Sequence, residues 1–187
     1  PALAPTQATV LLVRDEDGAG VVARDVAAQL TAAGVRTKLD DAVATSFGRR
    51  ATDIELKGVP VRIEVGPRDL KEGTVTIVRR DTSEKMTVPV GEAAGRVPGL
   101  LDDIQLSLRA EAATRLADNT TAVDSLDAAV EAAATGFAEV PAALLADGGE
   151  SRLADKGVTV RVVRRADGSM PESDDEADTI ATVARAY

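Results

Sequence analysis

The first part of the chain alternates between short apolar runs and amphipathic stretches, which is the pattern of an α/β domain. The run ATVLLV is almost continuously apolar, as expected for a strand that is buried on both faces. After it, Val22, Val26 and Leu30 recur on one face of a helix, and VRTKL predicts a second strand. A strand, a helix and a strand in this order predict a right-handed crossover between parallel strands. The three elements are predicted at residues 8–13, 20–33 and 35–39.

The segment LKGVPVRIEVGPRDL contains the period of a half-buried strand, because Val61, Ile63 and Val65 alternate with Arg62 and Glu64. The other predicted elements near it are a short helix ending near Leu56, a loop over 66–73, strands over 74–80 and 87–90, and a helix over 98–119 that begins at Pro98. We therefore expect a three-layer α/β domain over residues 1–120, in which helices flank a mixed sheet.

The rest of the chain, residues 121–187, has a weaker pattern and predicts a small α+β domain. The strand VTVRVVRR is its clearest element, because β-branched residues dominate it. The other predicted elements are an Ala-rich helix over 124–135, an irregular or weakly helical region over 136–157, an acidic loop over 166–178 and a final strand or helix in TIATVARAY.

Composition narrows the chemistry of this 187-residue chain. It contains neither Cys nor His, which excludes disulfides, thiolate zinc sites, Ser-His-Asp triads and Cys nucleophiles. The net charge of −9 argues against indiscriminate binding to nucleic acid or to anionic membrane. No apolar run reaches membrane-spanning length, and no signal peptide opens the chain, so we expect a cytoplasmic protein with no membrane partner.

Positive charge is concentrated in one part of the sequence. Residues 49–85 contain nine Lys or Arg and seven Asp or Glu, so this window is positive although the chain as a whole is acidic. The charges alternate with the apolar residues of the strand over 61–65, and more follow in GPRDLKEG. A strand that only covers a core could carry Thr or Ser there, which raises the question of what these charges bind.

A family resemblance is carried by segments that occur in the same order along the whole chain. They are LAPTQ at 3–7, KLDD at 38–41, ELKGVPVRIEVGPRDL at 55–70, VRRDTSEK at 78–85, LLDDIQ at 100–105, ADNT at 117–120 and the terminal VARAY. Together they resemble the C-terminal half of prolyl-tRNA synthetase, in particular of the archaeal/eukaryotic type. The middle block is the most specific of them because a run of that length is unlikely to recur by chance.

The resemblance implies a function and a set of partners. In this family a class II catalytic domain precedes an α/β anticodon-binding domain and a C-terminal domain, and the catalytic motifs are absent from this sequence. We expect the chain to bind the anticodon stem-loop of proline tRNA and to be inactive alone. It should need no cofactor, since ATP and Mg²⁺ would belong to the catalytic domain. That domain is the second expected partner, and the full enzyme is expected to be a homodimer.

The resemblance also implies which residues recognise the anticodon: Glu55, Arg62, Asp69 and Lys85 match the family's base-binding positions. The second and third bases of the proline anticodon are both guanine. Guanine offers O6 and N7 acceptors to Arg or Lys, and N1–H and N2–H donors to a carboxylate. The alternative is that these four residues are surface charges or ordinary cross-strand ion pairs.

Aromatic side chains on which a base could stack are sparse here. The family has aromatic residues just before ELKGVP, where this chain has Ala51 and Ile54. Phe47, Arg49 and Arg50 are the candidates for base stacking or phosphate contact in their place.

Two further features concern the C-terminal domain. Many relatives hold zinc in four cysteines there, and this chain has none, so we expect no metal. The acidic segment ESDDEAD could hold a hard cation weakly, but a solvated acidic loop is the favoured interpretation. Tyr187 matches a terminal Tyr whose free carboxylate points toward the catalytic domain in the family, and the alternative is a frayed end.

Other functions find little support in the sequence. Gly18-Ala19-Gly20 precedes a predicted helix, but neither GxGxxG nor a GK[ST] ending is present, which argues against a nucleotide site. Adjacent Asp102 and Asp103 diverge on a helix, so we predict no catalytic residue. The open alternatives are a free-standing paralogue that binds RNA or a protein without catalysis, and a structural module whose sheet serves dimerisation.

Overall fold

The computed structural model describes residues 1–173 and 176–186, and its contacts divide the chain into two units, residues 1–110 and 111–187. The elements of the first unit are β1 (Ala8–Leu12), α1 (Ala19–Ala32), β2 (Thr37–Asp40), α2 (Phe47–Leu56), β3 (Val61–Val65), α3 (Pro67–Lys71), β4 (Thr74–Arg79), β5 (Lys85–Pro89) and α4 (Val90–Asp118), which continues into the second unit. The predicted boundary after residue 120 stays a prediction.

The first unit is built on a five-stranded sheet in the order β2-β1-β3-β4-β5. Strand β1 runs parallel to both β2 and β3, whereas β3, β4 and β5 are antiparallel neighbours. The predicted β-α-β unit and the mixed sheet are therefore confirmed. The connection from β2 through α2 to β3 crosses β1, so α1 and α2 cover opposite faces of the sheet.

Apolar side chains from both faces explain the layers. One face packs against α1 and the first half of α4, with Val10, Ile63 and Ile77 fully buried in the main core. The other face packs Leu11 against Ala51 and Ile54 of α2. Strand β1 lies between these two layers, which is why its sequence is almost continuously apolar. The three-layer α/β fold predicted from the sequence is confirmed.

Two predicted boundaries in this unit were wrong. GPRDLKEG contains the short helix α3, in which Pro67 occupies the first helical turn. Five residues are too few to produce a helical period in the sequence, so the segment resembled a loop. Helix α4 begins at Val90 and contains Pro98 in its interior. Buried Ala93 and Ala94 extend its packed face toward the N-terminus, but small side chains give a weak periodic signal.

The second unit contains a four-stranded sheet in the order β6-β7-β9-β8. Its elements are β6 (Thr120–Ala122), α5 (Leu126–Ala132), β7 (Phe137–Pro141), a 3₁₀ turn (Ala142–Leu145), α6 (Gly149–Ala154), β8 (Val158–Arg164) and β9 (Ile180–Arg185). Strand β6 is parallel to β7, and β9 is antiparallel to both β7 and β8. The small α+β fold is confirmed, and TIATVARAY supplies a strand.

The region predicted as irregular is more ordered than its sequence indicated. Strand β7 and helix α6 both lie in it, and Val140 and Leu153 are buried in the core of this unit. Each element spans only one turn or a few residues, so neither has a long enough pattern to be recognised. None of the helices in the described ranges is long and apolar enough to cross a membrane.

Candidate nucleic-acid interface

The predicted base-binding residues converge on the sheet face that carries α2. Arg62 lies opposite Val78 on β4, and Val78 lies opposite Lys85 on β5. These three residues form one row across three strands. With strands about 4.8 Å apart, the backbones of Arg62 and Lys85 are separated by about 10 Å. Lys85 is exposed, whereas Arg62 is largely buried.

A second row lies beside the first on the same face. Glu64 is opposite Thr76, and Thr76 is opposite Thr87. The two rows together form what we call the β3–β5 face, whose members are Arg62, Glu64, Thr76, Val78, Lys85 and Thr87. Helix α2 lies over the neighbouring β1 side of this sheet surface, where it packs on Leu11.

Asp69 joins this face from α3, immediately after β3. Thr76 donates from Oγ1 to Oδ2 of Asp69 at 3.3 Å, and Thr74 donates from Oγ1 to the Asp69 carbonyl oxygen at 3.1 Å. Both threonines point toward the same side of β4 because they are two residues apart. The bonds hold half-buried Asp69 beside the second row.

Arg62 is the most constrained of the four. Its Nη1 donates to Oε1 of Glu55 at 2.9 Å, and its Nε and Nη2 both lie 2.9 Å from Oε1 of Glu64. The Arg62 side chain is 8% exposed, compared with 12% for Glu64 and 56% for Glu55. Arg62 thus forms the ion pairs of the alternative interpretation, while more than half of the Glu55 side chain remains exposed.

Arg80 borders this cluster and was not among the predicted site residues. Its Nε donates to the carbonyl oxygen of Glu55 at 2.9 Å, at the C-terminal end of α2. A cation is favourable there because the helix dipole is negative at its C-terminus. The signal in the sequence was strand alternation, which predicts Arg80 on the same side as Val78 and Thr76 if the pattern of β4 continues by one residue.

The three candidates for stacking or phosphate contact differ in their surroundings. Arg49 is exposed on α2, and Phe47 is half-buried against the small core beneath this helix. Arg50 is 3% exposed, and its guanidinium donates to the carbonyl oxygens of Leu12 and Thr45 at 2.8 and 3.1 Å.

Arg50 also forms an ion pair with Asp40, in which Nη1 lies 3.0 Å from Oδ1. Its hydrogen bonds join β1, β2 and the start of α2. This burial and these hydrogen bonds favour a structural role for Arg50, and its contact with RNA stays a prediction.

A separate charged pair lies at the end of β4. Arg79 donates from Nε and Nη2 to the two carboxylate oxygens of Asp81, at 3.1 and 2.8 Å. These bonds hold the pKa of Asp81 below its ordinary value and raise that of Arg79. Arg79 pairs with Val61 and so points to the face opposite Arg62. We assign this pair to the turn between β4 and β5.

Some of the residues in the predictions for the C-terminal region lie outside the part of the chain that the structure describes. Tyr187, Asp174 and Asp175 lie outside the described residues. In the described part of the acidic segment, Glu176 accepts from Nη2 of Arg165 at 2.8 Å, and this bond lowers the pKa of Glu176. Over residues 1–173 and 176–186, no three acidic side chains are grouped as a metal site would require.

Comparison with known proteins identifies the family to which the chain belongs. The family model described as "Anticodon binding domain" matches residues 7–100, from before β1 to within α4. Proline–tRNA ligase from Frankia alni is 52% identical over 192 aligned residues, and proline–tRNA ligase 2 from Streptomyces avermitilis is 43% identical over 188. Each alignment covers 100% of this chain, and the chain spans 40% of the length of these curated relatives.

Solved structures of such enzymes share the fold of the whole chain. Prolyl-tRNA synthetase from Cryptosporidium parvum, complexed with L-proline and AMP, has a TM-score of 0.82 at 25% identity and is matched over 42% of its chain. The Giardia lamblia enzyme, in complex with prolyl-adenylate, has a TM-score of 0.84 at 25% identity and is matched over 43% of its chain. Both matches cover 100% of this chain. The chain therefore belongs to the anticodon-binding domain family, and its relatives along its full length are proline–tRNA ligases.

Proposed function

We propose that this chain recognises the anticodon of proline tRNA as part of a proline–tRNA ligase, the enzyme that joins proline to its tRNA with ATP. The observation that carries the proposal is the convergence of Glu55, Arg62, Asp69 and Lys85 on and beside the β3–β5 face. Two cations and two carboxylates there come from four separate elements of the chain.

The chemistry of this set matches two adjacent guanines. Arg62 and Lys85 supply donors for O6 and N7, and Glu55 and Asp69 supply acceptors for N1–H and N2–H. Each carboxylate is already held by one hydrogen bond from the protein, Glu55 by Arg62 and Asp69 by Thr76. Held side chains lose less conformational freedom when a base binds, so more of the contact energy contributes to affinity.

Charges around the face supply the contacts that do not depend on base identity. Exposed Arg49 lies in the first turn of α2 and exposed Arg80 lies beside its C-terminal end, and both are suited to phosphate oxygens, while half-buried Phe47 is the aromatic residue at the start of that helix. Base recognition and phosphate attraction would then act from adjacent parts of one surface.

The wider assignments follow from the same proposal. ATP and Mg²⁺ would be bound by a catalytic domain, without which this chain neither forms prolyl-adenylate nor charges tRNA. The archaeal/eukaryotic type is supported by the likeness to the Cryptosporidium and Giardia enzymes over the whole chain. We further propose a cytoplasmic location and a homodimer for the full enzyme, and an orientation of the Tyr187 carboxylate toward the catalytic domain.

The test is a pair of titrations at one fixed salt concentration. The 187-residue chain is titrated with an unmodified proline tRNA transcript and with a transcript in which the second and third anticodon guanines are replaced by adenine. We expect at least about tenfold weaker binding of the altered transcript, since each lost base contact costs about 1–3 kcal/mol. Equal affinity for the two transcripts would overturn the proposal.

A further inference from the structure

Glu64 is a nearly buried carboxylate on the β3–β5 face that the family resemblance does not assign to any role. We propose that Glu64 is a positioning residue that sets the orientation of the Arg62 guanidinium for guanine recognition. The inference rests on the proposed function, and it adds a residue to the recognition machinery that does not itself contact the base.

The geometry of the contact fixes a plane. Oε1 of Glu64 lies 2.9 Å from both Nε and Nη2 of Arg62, which are the two donors on one edge of the guanidinium. The hydrogen bond from Nε and the close approach of Nη2 to the same oxygen together restrict rotation of the guanidinium about its long axis. A single bond from the terminal nitrogen, such as the one to Glu55, leaves that rotation possible.

The donors that remain match a guanine edge. A guanidinium has five N–H groups, and the hydrogen bonds to Glu64 and Glu55 use two of those on Arg62. At least one N–H is left on each terminal nitrogen. The O6 and N7 acceptors of guanine require two donors side by side, so their alignment depends on how the fork is held.

Burial makes Glu64 the stronger of the two holding groups. Its side chain is 12% exposed, so water competes weakly for its contact with Arg62. Glu55 is 56% exposed, and an exposed partner contributes less. Glu64 also lies on a central strand, with Leu11 on one side and Thr76 on the other, which restricts its own movement.

The experiment measures sensitivity to a single guanine atom. Wild type, Glu64→Ala, Glu64→Gln and Glu64→Asp are each titrated with anticodon stem-loops that carry guanine or 7-deazaguanine, which lacks the N7 acceptor, at the second and third positions. A stem-loop with adenine at both positions tests the proposed function in the same series. Glu92→Ala is the charge-matched control, because Glu92 pairs with Arg96 on α4.

For wild type we expect 7-deazaguanine to weaken binding about tenfold. For Glu64→Ala we expect it to weaken binding less than about threefold, because the misaligned Arg62 guanidinium no longer donates to N7. Glu64→Gln should stay near wild type, since its amide oxygen can accept from both donors. Glu64→Asp keeps the charge, but its shorter side chain moves the carboxylate oxygen away from Arg62, so it should behave like Glu64→Ala. If Glu64→Ala does not fold, Glu64→Asp is the variant that tests the positioning role. Glu92→Ala should retain the full sensitivity.

Three outcomes separate this inference from the proposed function. If wild type does not distinguish guanine from adenine, the proposed function fails. If it distinguishes them but ignores 7-deazaguanine, or if folded Glu64→Ala and Glu64→Asp keep the full sensitivity, the positioning role is overturned while the proposed function stands. A purely structural Glu64 would lower the melting temperature without changing the ratio of the two affinities.

Discussion

Nη1 of Arg62 and Oε1 of Glu55 are 2.9 Å apart, although one residue lies on a central strand and the other on the last turn of a helix. The contact ties the end of α2 to β3. It also brings together a guanidinium and a carboxylate, the two types of group that the proposed recognition of guanine requires. An ion pair and a base-recognition site are therefore compatible uses of the same two side chains, because Glu55 remains 56% exposed.

Replacement of Arg62 tests the cation at the centre of the face. Arg62→Ala should weaken cognate tRNA binding by about 1–3 kcal/mol, the contribution of a good bidentate base contact, and should barely change binding to a tRNA that lacks the two guanines. The measurement is the dissociation constant for both tRNAs at one salt concentration.

Arg24→Ala is the matched control for this variant. Arg24 is exposed on α1, which packs on the opposite face of the sheet, and the substitution removes the same charge. Circular dichroism must show that Arg62→Ala is folded, because the substitution leaves the Glu64 carboxylate without this partner. Equal losses for the two tRNAs would mean that Arg62 acts through its charge alone.

Replacement of Asp69 gives a prediction whose sign is informative. Deleting an acid should strengthen binding to every tRNA if charge alone matters. If the Asp69 carboxylate accepts from guanine N1–H and N2–H, Asp69→Ala should instead weaken binding, and only for the cognate tRNA. Competition titrations with cognate and guanine-substituted tRNA measure the difference. Asp25→Ala, an exposed acid on α1, is the control that shows the charge effect alone.

Arg50 should matter for stability and not for recognition. Arg50→Ala leaves the carbonyl oxygens of Leu12 and Thr45 and the carboxylate of Asp40 without their donors, so we expect a loss of unfolding free energy of about 1–3 kcal/mol or more. Urea unfolding measures it. The ratio of cognate to substituted tRNA affinity should remain that of wild type in the folded variant, and a collapse of this ratio would return Arg50 to the binding site.

The turn between β4 and β5 should contribute to the acid sensitivity of the chain. The hydrogen bonds from Arg79 lower the pKa of Asp81 in the folded state, so the pair stabilises the fold above the unfolded pKa of about 3.9 and this contribution is lost as the pH falls through the lower folded value. Asp81→Asn should therefore be less stable than wild type at pH near 7, and the difference should shrink below a pH of about 4.

Urea midpoints at neutral and acidic pH test the sign of this effect. Asp25→Asn removes the same charge from the exposed surface of α1 and serves as the control. A deficit for Asp81→Asn that grows on acidification would show that the pKa shift has the opposite direction.

The sequence alone predicted where side chains lie when a hydrophobic pattern repeats along an element. Val61, Ile63 and Val65 are buried on one side of β3 because strand alternation directs them there, and the same alternation sends Arg62 and Glu64 to the other side. Strand alternation therefore predicted the face of the sheet on which the candidate residues gather. The family resemblance supplied their roles, and strand periodicity supplied the position of Arg62.

The sequence alone did not predict the role of a residue where that role depends on atoms many residues away in the chain. Arg50 binds the carbonyl oxygen of Leu12, 38 residues earlier, and Arg80 binds that of Glu55, 25 residues earlier. Backbone acceptors are the same in every residue, so no local pattern predicts that these two arginines donate to them. Glu64 was overlooked for a similar reason, because its two contacts to Arg62 depend on the rotamers of both side chains.

The most direct test of the central claim is to locate the anticodon on the protein. The ¹⁵N-labelled chain is titrated with the proline anticodon stem-loop, and separately with a stem-loop in which adenine replaces both guanines, while amide and arginine Nε–H resonances are followed by NMR. We predict that the cognate loop selectively shifts Thr76, Lys85, Thr87 and the Nε–H of Arg62, and leaves Arg24 on α1 unchanged. Equal shifts with both loops, or shifts concentrated on α1 instead of the β3–β5 face, would contradict anticodon recognition by this surface.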